Sequence, residues 1–183
     1  IQSAAQMRDH LLRTLQAETP RPDHRFTLEH FAYSTEDQTR QMGALGMVVS
    51  ANPYYHYILS DIYSERWLGR DRGSQMVRLG SLKRHGVPFA LHSDSPMAPL
   101  SPLTLAHTAV NRVTINGQLS GPMERISLDA ALRAITIDAA WVIGWEDEIG
   151  SIRAGKKADF TILESDPYEV GAKELKGIEV WGT

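Results

Sequence analysis

Three short apolar segments, each followed by a helix-like stretch, constrain the fold of this chain more than any other feature. They occupy residues 25–30, 47–51 and 87–94. Apolar runs of this length are typical of buried strands, and their alternation with helices is typical of a parallel sheet. The first segment ends in His30 and the third in Asp94. Parallel α/β folds carry their catalytic groups at the carboxyl ends of the strands, so we expect these two side chains to share one site.

The number of predicted strands indicates how much of a barrel this chain contains. A closed (β/α)8 barrel needs about eight strands, whereas the sequence predicts three. We therefore expect an α/β fold in which residues 1–144 form part of a TIM-like barrel. A helical stripe over 2–18 predicts a helix before the first strand. Beyond residue 144 the sequence is rich in turn residues and then in β-formers, so we expect a second, β-rich unit over 145–183.

Composition excludes several classes of protein. A hydrophobic fraction of 42% and a charged fraction of 22% are ordinary for a folded domain. A net charge of −3 argues against a nucleic-acid surface, which needs a clustered basic face. The absence of Cys removes disulfides, thiolate nucleophiles and Cys-ligated zinc. No apolar run approaches the roughly 20 residues of a membrane span, and no signal peptide is evident. We therefore expect a cytoplasmic protein without membrane or nucleic-acid partners.

Four motifs in a fixed order carry a resemblance to a known family. They are LEH at 28–30, HSDSP at 92–96, AVNR at 109–112 and GSIRAGKKAD at 150–159. Together they resemble the amidohydrolase superfamily, and more closely its YtcJ-like branch, amidohydrolase family 3. The resemblance extends from about residue 2 to residue 167.

The resemblance implies a fold and a partial site. The family has a (β/α)8 barrel and a small β-sandwich built from both chain ends, so this chain would hold about the last three β/α units and, over 145–183, part of the sandwich. His30 would be the metal ligand at the end of the sixth strand. Asp94 would be a ligand and the general base at the end of the eighth. The family's ligands on its first, fourth and fifth strands have no counterpart here, so we expect a C-terminal portion that begins after them.

The chemistry of these two residue types agrees with those roles. Zinc binds imidazole nitrogen and carboxylate oxygen, and a catalytic site uses about three protein ligands and one water. The metal lowers the pKa of that water towards about 7, and a neighbouring carboxylate can transfer its proton to the leaving nitrogen. We expect a metal-dependent hydrolase that cleaves an amide, N-formyl or cyclic amide C–N bond of a small molecule. The expected cofactor is one or two divalent ions, with zinc favoured.

Strand alternation predicts which side chains face the interior of the barrel. In the third strand it places His92 inward and directs Phe89 and Leu91 towards the helices. In the first strand it places Leu28 inward and directs Glu29 towards the helices, where a charge needs a partner. The sequence accounts for that acidic residue only by a buried ion pair or by a twist at the end of the strand.

Several further residues are candidates for the substrate pocket or for supporting a ligand. His92 stands where the family more often has Gly, and it could orient a ligand or bind the metal directly. The loop after the second strand could line the substrate pocket or form an ordinary surface loop; it contains Asn52, Tyr54, Tyr55 and His56. Arg112 could bind an anionic group or make a structural ion pair.

Alternative interpretations remain open from the residues alone. A histidine at a strand end, such as His30, can be a hydrogen-bonded core residue and not a ligand. The 183-residue piece, or a degenerate relative, could fold without activity and form a homo-oligomer through exposed barrel edges. A sugar-phosphate or nucleotide enzyme could use the same barrel, although no Gly-rich phosphate loop supports it.

Overall fold

The computed structural model describes His10, Arg21 and residues 13–14, 16–18 and 23–183. Every described residue between 10 and 18 is helical. The rest of the helix predicted over 2–18 lies outside the described residues. In the described part of the chain, no helix combines the length and apolar character needed to cross a membrane.

The centre of the structure is a three-stranded parallel sheet. Strands β1 (Thr27–His30), β2 (Val48–Ala51) and β3 (Phe89–Leu91) lie in the order β1-β2-β3. Leu28, Val49 and Phe89 lie in register across the sheet, and the next row consists of Glu29, Ser50 and Ala90. The predicted α/β architecture with parallel strands is therefore confirmed.

Helices connect and cover these strands, and their starts follow local capping chemistry. Thr35 and Gln38 form a capping box at the first of them. The hydroxyls of Ser101 and Ser127 accept hydrogen bonds from Thr104 N and Ala130 N at two later helices. The helices are α1 (Glu36–Ala44), α2 (Tyr54–Tyr63), which continues into a π-helical turn (Ser64–Leu68), α3 (Gly69–Gly73), α4 (Leu79–Arg84), α5 (Pro102–Asn111), α6 (Leu128–Ala134), α7 (Ile137–Val142) and α8 (Pro167–Val170).

The hydrophobic core lies between one face of the sheet and the helices. Val49, Phe89 and Leu91 are buried there against residues of the helices, as predicted for β3. Leu28 also packs against this core, which corrects the orientation predicted for β1. Leu28 is in register with the buried residues Val49 and Phe89 and therefore shares their face of the sheet. Burying a leucine beside them stabilises the fold, whereas burying Glu29 there would remove a charge from water.

The C-terminal segment contains a two-stranded antiparallel sheet, β4 (Ile162–Leu163) and β5 (Val180–Gly182). A 3₁₀ turn between them, Leu175–Gly177, packs against α5, and the Leu175 side chain is fully buried. These two short strands form one antiparallel pair, of two and three residues. The division into a barrel part over 1–144 and a sandwich part over 145–183 stays a prediction.

Candidate active site

His30 and Asp94 meet at the carboxyl edge of the parallel sheet. The Nδ1 atom of His30 lies 3.8 Å from Oδ2 of Asp94. Both side chains remain accessible, with exposed fractions of 47% and 41%. The structure therefore brings together the two residues that the sequence singled out, and it leaves them open to a ligand.

The backbone is turned sharply at both positions. His30 has a φ of 69° and Asp94 a φ of 53°, and neither residue is glycine. The left-handed region costs an L-residue roughly 1–2 kcal/mol, and such strain clusters at functional sites. At His30 the turn ends the strict alternation of β1, so its side chain can reach the end of β3 although Leu28 faces the helices.

Tyr55 holds one oxygen of the Asp94 carboxylate. The Tyr55 hydroxyl donates a hydrogen bond of 3.3 Å to Oδ2 of Asp94, and the His30 and Tyr55 rings lie 6.0 Å apart between centroids. Burial raises the pKa of Tyr55, and the Asp94 charge raises it further. The Oδ1 atom of Asp94 accepts no hydrogen bond within the described residues, so it is available to a ligand.

Asn52 connects the loops that follow β2 and β3. Its Nδ2 donates to the carbonyl of Ser93 at 3.1 Å, and its Oδ1 accepts from Tyr54 N at 3.0 Å. Asn52 is fully buried and positions the loop that carries Asp94. Of the two roles that the sequence allowed, it therefore has the supporting one and does not line a pocket. Tyr54 packs against the core and against the Tyr57 ring, so among the predicted residues of this loop only Tyr55 contacts the His30–Asp94 pair.

His92 lies beside His30 and is also the neighbour of the Glu29 carboxylate, for which the sequence predicted no partner. The two imidazole rings lie 5.1 Å apart between centroids. The Nε2 atom of His92 is buried without a hydrogen-bond partner, 3.9 Å from Oε2 of Glu29. Burial lowers the pKa of His92, and the Glu29 charge partly offsets that effect. Glu29 therefore lies on the sheet face opposite the helices, where its carboxylate is close to His92. Strand alternation did not predict this contact because it assigned β1 the opposite orientation.

Arg112 has a structural role, in keeping with the structural alternative that the sequence left open beside anion binding. Only 1% of the residue is exposed, and its guanidinium donates to the carbonyl oxygens of Ser74, Met76, Val77 and Ser120. Burial lowers its pKa to about 9. With four of its N–H groups bonded to the backbone, this side chain joins the segment between α3 and α4 to the turn after α5.

His56 is likewise a core residue and does not line the pocket. It is fully buried, and its Nε2 lies 3.1 Å from the Ser120 carbonyl oxygen. Its Nδ1 has no hydrogen-bond partner. Burial, and secondarily the Arg112 charge, lower the pKa of His56 to about 3.

The lowered pKa of His56 makes the fold sensitive to acid. The folded state keeps His56 neutral, while the unfolded chain binds a proton below about pH 6.5, so this stability contribution falls as the pH drops from 6.5 towards 3. We expect a loss of about 2 kcal/mol in the free energy of unfolding between pH 8 and pH 5, measured with urea. The His56→Gln variant should lose much less over the same interval, whereas His10→Gln, at an exposed position, should behave like the wild type. Equal pH dependence in His56→Gln and the wild type would contradict this origin of the acid sensitivity.

The donors at the sheet edge fit a divalent metal in part. Two ligands of one tetrahedral zinc stand about 3.3–3.6 Å apart, given bonds of about 2.0–2.2 Å. The 3.8 Å between His30 Nδ1 and Asp94 Oδ2 needs only a small side-chain adjustment to reach that separation. However, no group of three His, Cys, Asp or Glu within the described residues could hold an ion. The pair could supply two of the about three protein ligands that a catalytic zinc uses.

Comparison with known protein families identifies the family to which this chain belongs. The sequence model of the amidohydrolase family matches residues 2–183. The chain belongs to the amidohydrolase family. This confirms the resemblance carried by the four motifs, and it places the His30–Asp94 pair within an amidohydrolase fold.

Named relatives of this amidohydrolase chain cover much of its length. It is 33% identical over 157 residues to the N-substituted formamide deformylase of Arthrobacter pascens, covering 85% of this chain and 29% of the relative. It is 32% identical over 136 residues to an imidazolonepropionase of Pseudomonas paraeruginosa, covering 74% and 29%. The chain thus spans about 29% of the length of these two relatives.

A solved structure supports the amidohydrolase fold independently of sequence. An uncharacterized metal-dependent hydrolase from Pyrococcus horikoshii superposes with a TM-score of 0.70 and 25% identity, over 87% of this chain and 32% of that one. The described sheet and helices therefore have the arrangement found in a metal-dependent hydrolase.

Proposed function

We propose that the protein carrying this chain is a metal-dependent hydrolase that cleaves a C–N bond in a small molecule. The observation that carries the proposal is the His30–Asp94 pair, with its 3.8 Å separation at the carboxyl edge of a parallel sheet. Membership of the amidohydrolase family supports the reaction class. An imidazole and a carboxylate in this position are the donors that hydrolytic metal sites use.

His30 and Asp94 would hold the metal, and zinc suits their nitrogen and oxygen donors. When bound, a divalent ion supplies Lewis-acid polarisation of the scissile carbonyl and lowers the pKa of water. We expect one or two ions. The accessible side chains of both residues leave room for the ion and the substrate.

Asp94 is the proposed general base. Its Oδ1 atom accepts no hydrogen bond within the described residues, so it can take a proton from the attacking water and transfer it to the leaving nitrogen. The Tyr55 hydroxyl holds Oδ2 and limits rotation of the carboxylate. Asn52, through the Ser93 carbonyl, positions the loop that carries the base.

The proposed bond is an amide, N-formyl or cyclic amide bond. Two relatives are named N-substituted formamide deformylase and imidazolonepropionase, and their names favour formamides and cyclic amides as the first substrates to test. We choose N-formyl amines because the formamide deformylase has 33% identity over 85% of this chain.

A second proposal concerns the 183-residue chain by itself. Within the described residues two metal donors meet and no third completes a group, which favours a catalytically incomplete unit when the chain stands alone. We propose that this chain supplies about the last three β/α units of a barrel and part of a β-sandwich, and that the remaining ligands belong to other parts of the protein. Self-association through the open sheet edges stays a prediction.

Metal content tests both proposals. We expect the intact protein, purified with zinc, to hold at least one ion per chain by atomic emission. His30→Gln should reduce the bound zinc at least two-fold because it removes a nitrogen donor, and the 183-residue chain alone should hold less than one ion. His107→Gln, on α5, serves as the matched control. Unchanged zinc in His30→Gln would contradict the assignment of this ligand, and a full ion in the 183-residue chain would contradict the incomplete site.

A further inference from the structure

A cavity of about 460 Å³ lies at the amino end of β3, whereas the His30–Asp94 pair lies at the carboxyl edge of the sheet. Residues 86–89, which lead into this strand, form one wall. Lys83, near the end of α4, borders the cavity on one side, and residues of α6 and α7 border it on the other. Both sides therefore belong to described elements of the fold.

The inner surface of this cavity is mainly apolar. Val87 and Phe89 are buried members of the hydrophobic core, and Ala130 of α6 is buried beside them. Trp141 of α7 is partly buried and adds an aromatic wall. An apolar occupant would cover the part of these side chains that water still reaches, which makes its binding favourable.

Trp141 is held in place by contacts outside the cavity. The Arg25 guanidinium lies 4.4 Å from the centre of the Trp141 ring and donates a hydrogen bond of 2.8 Å to the Trp141 carbonyl oxygen. Arg25 is itself paired with Glu146 at 2.6 Å. A side chain that is already ordered loses little conformational entropy when a ligand packs against it, and an aromatic wall favours a flat ring.

The charged groups of the lining favour an anion. Arg133 and Asp138 pair with each other, with 2.7 Å between Nη2 and Oδ1. The exposed Lys83 side chain makes no hydrogen bond or ion pair with the described residues. The described lining therefore carries one more cation than anion, and the unpaired ammonium group can donate hydrogen bonds to a carboxylate.

We propose that this cavity binds an aromatic carboxylate, with its ring against Trp141 and its carboxylate at Lys83. A cavity of about 150 Å³ is enough for benzene, and small-molecule sites begin at about 300 Å³. The observed 460 Å³ therefore suits a phenyl ring with a short linker to the carboxylate. None of His30, Tyr55 and Asp94 lines the cavity, so binding here does not depend on the proposed hydrolysis.

Three probes test the need for both the ring and the charge. The dissociation constants of cinnamate, its neutral counterpart cinnamyl alcohol, and acetate are measured by calorimetry on the intact protein. We expect cinnamate to bind at least ten-fold more tightly than cinnamyl alcohol, and acetate not to bind at millimolar concentration. Equal affinity for cinnamate and cinnamyl alcohol would overturn the proposal. No binding of cinnamate at millimolar concentration would also overturn it, and would show that the cavity is closed in the intact protein.

A lysine variant locates the carboxylate. Lys83→Gln should weaken cinnamate binding at least five-fold and leave the affinity for cinnamyl alcohol unchanged, because it removes the charge and keeps most of the side chain. It should fold normally, since the position is exposed. Lys176→Gln, at another exposed lysine outside the cavity, is the matched control. An equal loss of affinity in Lys176→Gln and Lys83→Gln would contradict a specific contact with Lys83.

Tryptophan variants locate the ring. Trp141→Leu should weaken both cinnamate and cinnamyl alcohol about ten-fold, and Trp141→Phe should weaken them less, because phenylalanine keeps an aromatic wall. Urea unfolding shows whether each variant is folded. Unchanged affinity in a folded Trp141→Leu variant would contradict the proposed packing. If Trp141→Leu does not fold, the Lys83→Gln result decides the proposal.

A carboxylate can also bind a metal ion at the proposed active site, so a third variant separates the two places. His30→Gln removes a proposed metal ligand at the carboxyl edge of the sheet, far along the chain from the cavity lining. We expect it to leave the affinity for cinnamate unchanged. A loss as large in His30→Gln as in Lys83→Gln would place the carboxylate at the proposed metal site and would overturn the proposal.

Discussion

Replacing Asp94 by Asn should remove most of the hydrolytic turnover of the intact protein while leaving its fold in place. Asparagine has nearly the shape of aspartate, but its amide cannot accept a proton from water, and general-base catalysis is worth about 10²–10⁴ in rate. Asp94 is 41% exposed, and its Oδ2 accepts one hydrogen bond, from Tyr55, so its replacement should change the free energy of unfolding little. We expect kcat on an N-formyl amine to fall at least about 100-fold.

Two further measurements show whether the loss of turnover in Asp94→Asn comes from a missing base. The zinc content of Asp94→Asn reports whether this residue acts mainly as a ligand or mainly as a base: retained metal with lost turnover indicates the base. Asp71→Asn, at an exposed residue of α3, should keep full activity and serves as the control. Wild-type turnover in Asp94→Asn would rule out the proposed base.

Replacing Arg112 by Met should strongly destabilise the chain, because it removes the donors that join two buried segments. Methionine fills most of the volume of the side chain but leaves the carbonyl oxygens of Ser74, Met76, Val77 and Ser120 without their buried donor. An unsatisfied buried polar group costs about 1–3 kcal/mol, so we expect a loss of at least about 3 kcal/mol in the free energy of unfolding.

Urea unfolding measures this effect, with two comparisons. Arg112→Lys keeps the charge but lacks the planar fork of donors, so its loss should be smaller than that of Met yet clearly measurable. Arg70→Met, at an exposed position on α3, should change stability by no more than about 0.5 kcal/mol. A cost below about 1 kcal/mol for Arg112→Met would show that water or a shifted backbone satisfies these carbonyl groups.

Local sequence patterns predicted much of the architecture. The apolar runs indicated three parallel strands, and the cap residues Thr35, Ser101 and Ser127 mark helix starts in the structure. It was also predictable that His30 and Asp94 lie at the same edge, because the carboxyl ends of all parallel strands in one sheet lie at one edge.

Long-range packing decided what the sequence left open. Asn52, His56 and Arg112 are polar residues that the sequence allowed in the pocket, but in the structure each is buried and bonded to the backbone of a segment far along the chain. No local pattern marks such a residue, because its partner carbonyl groups become neighbours only after the chain has folded.

The sequence by itself thus determined the periodicity of each strand and the two residues at the strand ends. It could not determine the orientation of β1, since a period of two is equally compatible with either face. Tertiary packing settled that choice by burying Leu28 beside Val49, and it thereby moved Glu29 to the face of His92.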